Sequence, residues 1–282
     1  MRIFKVDLYE YFNREKPEHY NGGVLTCYVQ DSPFPEEVLY PGMLVVPGGG
    51  YHHLGLREAE PVALEFIKNN YNAFVLFYSV ETVKFPVALQ ECAMAMAYIR
   101  ENASDLNTKR DKVGCIGFSA GGHLVGTLST LYGSEELDFL GEKKKFVRPD
   151  ATIYGYPVVT YFGETHAYSF DMLCGDNEEL KGKLSIENLV KSDCPPCYIF
   201  STAGDNCVPC RNSLVLASAY EKAGVSYTVH IFAGGVHGLS LGKESLFINN
   251  ETDYKYYLEN LSTDFTKWFD MAITWLKDIN VK

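Results

Sequence analysis

No stretch of this 282-residue chain approaches the roughly 18 uninterrupted apolar residues that a membrane helix needs, so no membrane partner is expected. The opening Met1-Arg2-Ile3-Phe4-Lys5-Val6-Asp7 interrupts its apolar residues with charges and does not read as a secretory leader. The expected location is the cytoplasm, where the sequons at Asn102, Asn250 and Asn260 carry no sugar. Positive charge is scarce: 25 Lys and Arg stand against 36 Asp and Glu, a formal net charge of −11. A phosphate backbone needs clustered cations, so a nucleic-acid partner is excluded. The longest basic run, Lys143-Lys144-Lys145, follows Glu142 and reads as a solvated loop. Internal repeats and low-complexity segments are also missing, which excludes solenoid and disordered architectures.

What is present fits a globular enzyme-sized domain: 46% hydrophobic and 22% charged residues, enough for one large α/β domain over residues 1–282. Eight cysteines include two Cys-x-x-Cys pairs, Cys194/Cys197 and Cys207/Cys210. Such pairs can hold zinc. The segment between them reads as an apolar strand, which holds its ends about 20 Å apart at ~3.3 Å per residue. Four sulfurs cannot then share one ion, so free thiols and no metal are expected.

Along the chain, residues 3–12 and 24–30 read as strands, with Asn21-Gly22-Gly23 before the second, which predicts an antiparallel meander at one sheet edge. Pro33, Pro35 and Pro41 mark the following loop. From residue 43 the pattern becomes strand–helix alternation: strands over 43–46, 73–78, 112–116, 151–154, 198–201 and 226–232, with helices over 61–70, 86–99, 211–223 and 263–279. This predicts a mostly parallel central sheet with helices on both faces. Glu58 and Glu60 read as acids favouring the positive end of the first of these helices. Phe265, Trp268, Phe269, Ala272, Ile273 and Leu276 recur at helical spacing and read as core. Residues 157–195 and 239–262 read as irregular inserts that shape a pocket.

One motif stands out. Gly117-Phe118-Ser119-Ala120-Gly121 is a Gly-x-Ser-x-Gly run between an apolar strand and a helix-like stretch. A strand, a sharp glycine-lined turn and a helix lift a serine hydroxyl above the sheet as a nucleophile. The pattern alone arises by chance about 0.1 times in such a chain, so its partners decide. A serine needs a base, and histidine suits the task near neutral pH. Active groups of an open α/β sheet gather beyond the carboxyl ends of strands. His237, in Ala233-Gly234-Gly235-Val236-His237-Gly238, follows a strand in that way. His230 lies inside the strand and reads as packed. His123 reads as structural, and His19 and His166 have no motif context. Asp205, after the strand at 198–201, is the acid that would fix the tautomer of His237. Asp193 lies at the wrong end of that strand, and Asp171 and Asp176 are weaker alternatives. Pro47-Gly48-Gly49-Gly50 occupies the place of the loop that donates amides to an oxyanion, with Ala120 as a second donor. It lacks the Gly-Lys-Ser/Thr tail of a phosphate loop.

These residues, together with Glu60-Pro61-Val62-Ala63, Arg148-Pro149-Asp150, Gly155-Tyr156-Pro157-Val158 and His237-Gly238, give a resemblance over roughly residues 40–280. The chain resembles the α/β-hydrolase superfamily, and within it the bacterial acetyl-xylan-esterase-like group of sugar-ester hydrolases. The resemblance implies that fold, with an antiparallel N-terminal edge. It implies Ser119, Asp205 and His237 as catalytic triad, and Gly49, Gly50 and Ala120 as oxyanion hole. It implies a serine carboxylesterase without cofactor, removing short acyl groups, acetyl above all, from sugars or xylo-oligosaccharides. There are departures: Gly204 stands where the group often has a second acid, Cys207 and Cys210 flank the acid loop, and Pro47 replaces the histidine of lipase-like relatives. Tyr51, His53 and Tyr156 are the expected substrate contacts. His52 and two further tyrosines near strand ends, Tyr154 and Tyr161, are alternatives. A serine peptidase or amide hydrolase on the same triad is the competing reading, and homo-oligomerisation is left open.

Overall fold

The computed structural model describes residues 1–32, 38–247 and 251–282, the backbone alone for 251–253. Pro33, Pro35, the sequon at Asn250 and the 248–250 portion of the second insert lie outside the described residues. In chain order the elements are β1 (Arg2–Asp7), α1 (Leu8–Tyr11), β2 (Val24–Val29), β3 (Tyr40–Val46), α2 (Glu60–Lys68), β4 (Asn72–Phe77), α3 (Val87–Glu101), β5 (Thr108–Phe118), α4 (Ala120–Leu131), β6 (Thr152–Gly155), α5 (Ala167–Cys174), α6 (Glu178–Lys183), β7 (Cys197–Thr202), α7 (Arg211–Ala223), β8 (Tyr227–Phe232), α8 (Glu251–Asn260) and α9 (Trp268–Asp278). They form one eight-stranded sheet in the order β1-β2-β4-β3-β5-β6-β7-β8. Strands β3 to β8 run parallel to one another, and β2 is antiparallel to both β1 and β4. Among the described residues no helix is long and apolar enough to cross a membrane.

The sheet is covered on both faces, which is why its central strands are apolar without a polar alternation. Leu44, Val46, Phe74, Leu76 and Cys115 pack in one core with α3, α4 and α7, while Met43, Val45, Ala73, Val75 and Ile116 pack in the other with α2 and α9. The six residues spaced along the C-terminal segment are all buried. Trp268 stacks on Phe200 with ring centroids 4.2 Å apart, and its indole N–H donates to the Ser240 carbonyl at 2.9 Å. Trp268→Ala should destabilise the fold by about 3–5 kcal/mol, read as a lowered urea midpoint at unchanged slope; an unchanged midpoint would place the stabilisation elsewhere.

Several expectations are corrected. The strand expected over 3–12 ends at Asp7, whose carboxylate accepts the Glu10 amide at 3.1 Å and caps α1; a local side-chain bond here outcompetes extended backbone. The N-terminal edge is antiparallel as expected, with β1 paired to β2, and the meander stops there because β2 lies beside β4 rather than β3. The inserts are not irregular: α5 and α6 lie in the first and α8 in the second. Lys143, Lys144 and Lys145 belong to a 3₁₀ segment, Glu135–Phe146, where Lys143 pairs with Glu101 at 2.8 Å and Lys144 with Asp138.

Candidate active site

The loops that leave β3, β5, β6, β7 and β8 meet at the carboxyl ends of the parallel strands. Ser119 is the single residue between β5 and α4, with φ 51° and ψ −120°, a region that L-residues seldom occupy. The turn is tight because backbone passes on both sides. A Cβ on Gly117 would sit 2.1 Å from the Gly121 carbonyl oxygen, and one on Gly121 would sit 2.3 Å from that of Val46. The Ser119 amide donates to the Gly155 carbonyl at 2.9 Å, which ties the turn to β6.

His237 and Asp205 complete a hydrogen-bonded chain. Ser119 Oγ lies 2.8 Å from His237 Nε2, and His237 Nδ1 lies 2.7 Å from Asp205 Oδ2. The Asp205 side chain is fully buried. Its other oxygen accepts the amides of Cys207 at 3.0 Å and Val208 at 2.8 Å, so it cannot turn away. With Nδ1–H donated to the carboxylate, Nε2 is left to accept the serine proton. An arrangement of this kind can take a proton from a hydroxyl as that hydroxyl attacks an electrophile.

Beside the serine, the Gly48 amide donates to Glu58 Oε2 at 2.7 Å. Among the described residues no acceptor meets the amides of Gly49, Gly50 or Ala120, and Ala120 is the first residue of α4, where helix amides lack internal partners. Gly49 and Gly50 line the same cavity as Ser119 and His237, a cleft of 340 Å³. A larger open cleft of 670 Å³ is lined by Thr160, Glu187 and α7 residues and contains none of these groups.

The expected substrate contacts divide. His53 lines the cavity, as does His52. Tyr51 does not: it is 4% exposed, and its hydroxyl donates to His123 Nδ1 at 2.9 Å. His123 is itself buried, with Nε2 2.9 Å from the Leu184 carbonyl, and burial pushes its pKa down to about 4, so it is a neutral structural group. Tyr156 does not reach substrate space either. It is 1% exposed and hydrogen-bonded through its hydroxyl, with its ring edge-on to His237 at 5.0 Å between centroids. Tyr154 pairs with Tyr220 at 3.0 Å and Tyr161 with Glu178. Tyr51, Tyr154 and Tyr156 are drawn into the packed layers; the tyrosines that line the cavity, Tyr168 and Tyr257, come from the inserts.

Three further cavity residues carried no usable sequence signal. His166, without motif context, stands over Gly50: a Cβ on that glycine would lie 3.7 Å from His166 Cε1. Its Nδ1 is 2.8 Å from the buried Ser169 hydroxyl, and burial, then the proximity of His237, lowers its pKa. Arg57 lies over the rings of Phe247 and Tyr257 at 5.0 and 4.9 Å. Glu58, read as a helix-dipole acid, is buried in the cavity wall. Burial pushes its carboxyl above the usual range, opposed by the Tyr156 hydroxyl, the Gly48 amide and the nearby His237. Cys194 and Cys197 lie at the start of β7, while Cys207 and Cys210 lie past its end, with Cys207 in the cavity wall. Among the described residues no group of three His, Cys, Asp or Glu is placed to hold a metal ion.

Comparison with known proteins places this geometry in context. The model of the BD-FAE family matches residues 32–220. Endo-1,4-beta-xylanase B of Butyrivibrio fibrisolvens is 37% identical over 218 residues, covering 73% of this chain and 33% of that protein. The acetylxylan esterase of Xylanibacter ruminicola is 27% identical over 252 residues, covering 86% and 47%. The chain thus spans only about a third to a half of these curated relatives. The crystal structure of an acetyl ester-xyloside bifunctional hydrolase from Caldicellulosiruptor lactoaceticus superposes with a TM-score of 0.77 at 32% identity, covering 92% of this chain and 88% of that one.

Proposed function

The chain belongs to the BD-FAE family and has the α/β-hydrolase fold, and from that premise we propose that it is a serine ester hydrolase acting on short acyl esters, acetylated sugars or xylo-oligosaccharides foremost. The observation that carries the reading is the unbroken chain Ser119 Oγ–His237–Asp205, with contacts of 2.8 and 2.7 Å, opening onto a cavity beside two unengaged glycine amides. The names of the relatives support the ester and the xylan-derived alcohol.

In this reading Ser119 Oγ attacks the ester carbonyl carbon as His237 Nε2 takes its proton. The carbonyl electron pair moves onto oxygen, where the amides of Gly49, Gly50 and Ala120 receive it. The tetrahedral adduct collapses: the C–O bond to the alcohol breaks, and His237 returns the proton to the departing oxygen. Water then attacks the acyl-serine with His237 again as base, releasing the carboxylic acid and free Ser119. Asp205 holds the imidazole in the required tautomer and stabilises the imidazolium. His53 and His166 line the same cavity.

The test is an acyl panel. p-Nitrophenyl acetate should be hydrolysed about 10-fold or more faster, by kcat/KM, than the octanoate, because on this reading the transition state is built around a short acyl group and added methylenes contribute no binding there. Acetylated xylo-oligosaccharides should release acetate under the same conditions. Faster octanoate hydrolysis would overturn the short-acyl assignment, and cleavage of peptide but not ester substrates would favour an amide hydrolase.

A further inference from the structure

The acyl-transfer reading uses one buried carboxylate, Asp205. The cavity wall holds another. Glu58 is 6% exposed and lies in the 3₁₀ turn Leu56–Glu58, outside the Ser119–His237–Asp205 chain. Both of its oxygens are engaged: Oε2 accepts the Gly48 amide at 2.7 Å and Oε1 accepts the Tyr156 hydroxyl at 2.6 Å. The contacts continue outward. The Tyr156 hydroxyl accepts the Ser240 amide at 2.9 Å, and the Ser240 hydroxyl donates to the Arg57 carbonyl at 2.6 Å, next to Glu58. The Gly48 carbonyl accepts the Gly55 amide at 2.9 Å, which closes the Gly48–Glu58 segment on itself.

The network joins loops far apart in sequence. Gly48 leads into the Gly49 and Gly50 amides after β3. Ser240 lies three residues after His237 in the loop after β8. Tyr156, after β6, packs its ring against His237. Gly48 also packs directly on the serine turn, since a Cβ there would sit 2.6 Å from the Phe118 carbonyl oxygen and 2.9 Å from both Ser119 Cβ and Glu58 Oε2. The Ser240 N–H donates to Tyr156, and Tyr156 and the Gly48 amide donate to Glu58, so each carboxyl oxygen has a partner. An acid is buried against its solvation preference here, and such a group is costly unless every lone pair has a partner.

We propose that Glu58 is a positioning residue for acyl transfer, its two oxygens locking the Gly48–Gly50 loop and the His237–Ser240 loop into one frame so that oxyanion donors and base keep their separation. This rests on the reading of Ser119, His237 and Asp205 given above. Its role differs from mere support of the fold, because it fixes the relative place of groups that act together in the transition state.

The experiment compares wild type with Glu58→Gln and Tyr156→Phe. Glutamine keeps the shape but turns one acceptor into an NH2 group, so either the Gly48 amide or the Tyr156 hydroxyl faces a donor. For Glu58→Gln with p-nitrophenyl acetate, kcat should fall about 10²-fold, the size of a 1 Å misplacement or a lost oxyanion donor, with KM within about 3-fold. The inhibition constant of a phenylboronic acid, which forms a tetrahedral adduct on the serine, should weaken by the same factor. Tyr156→Phe keeps the Gly48 contact but cuts the link to Ser240, and should lower kcat about 10-fold, less than additively when combined with Glu58→Gln. Rates are normalised to sites titrated to completion with a phosphonate, which separates misplaced from unfolded enzyme. The proposal falls if normalised Glu58→Gln keeps kcat and boronate affinity within about 2-fold of wild type, or if Tyr156→Phe and Glu58→Gln effects simply add. If Ser119→Ala retains turnover, the active-site reading itself fails, a distinct outcome.

Discussion

Ser119→Ala should lower kcat for p-nitrophenyl acetate by about 10⁵–10⁶-fold, because removal of the nucleophile disables a set of groups that act as a unit. The change deletes one oxygen. The backbone around it is held by contacts that alanine keeps: the Ser119 amide to the Gly155 carbonyl at 2.9 Å and the Val158 amide to the Ser119 carbonyl at 3.0 Å. Alanine meets the same positive φ that serine already tolerates, so the turn should persist, and the thermal midpoint should change little. The residual rate would come from amides at 49, 50 and 120 acting on bound ester with water as the attacking group. Substrate affinity should survive, which gives a clean separation: unchanged ester binding by competition, with turnover gone. Turnover within tenfold of wild type would remove Ser119 from the mechanism.

Asp205→Asn should cost about 10⁴-fold in kcat, the effect of holding the imidazole in the wrong tautomer. The local hydrogen bonds explain why the fault cannot be relieved by rotation. One Asp205 oxygen is fixed by the Cys207 and Val208 amides at 3.0 and 2.8 Å. In the asparagine variant that place demands the amide oxygen, so the NH2 group faces His237 Nδ1. Nδ1 must then accept, the ring proton moves to Nε2, and Nε2 points a donor at Ser119 Oγ. The base is present but cannot take a proton. KM should stay within a few-fold, since Asp205 is buried and touches no bound ester. A proton NMR signal from an Nδ1–H in strong hydrogen bond should be seen in wild type and lost in the variant. A fall in kcat of under tenfold would assign the orienting acid to another residue.

Much of this was readable along the chain, and the reason is locality. The Gly-x-Ser-x-Gly turn, the glycine run at 48–50 and the loops carrying Asp205 and His237 each announce themselves within a few residues, because a tight turn between a strand and a helix restricts residue type by local sterics. Strand–helix alternation then places all four at one end of a parallel sheet. What misled was also local. Leu8 to Phe12 is apolar enough for a strand, yet Asp7 captures an amide and starts a helix instead. Residues 157–195 and 239–262 lack strong periodicity, yet hold α5, α6 and α8; α5 buries Phe170, Leu173 and Cys174, so tertiary packing rather than local pattern supports that helix. Tyr51 and Tyr156 sit at the right strand ends but point into the layers, toward His123 and Glu58.

The sequence by itself determined the fold class, the order Ser119, Asp205, His237 and the end of the sheet where they gather, since each follows from turn sterics and strand direction. Only the tertiary structure decided which polar side chains converge on the serine. Glu58 looked like a helix-dipole acid and is a buried clasp between two loops; His166 had no motif context and stands over Gly50 in the cavity. Convergence of that kind depends on where segments some hundred residues apart, such as Glu58 and Tyr156, come to rest against one another, and no spacing within either segment encodes it.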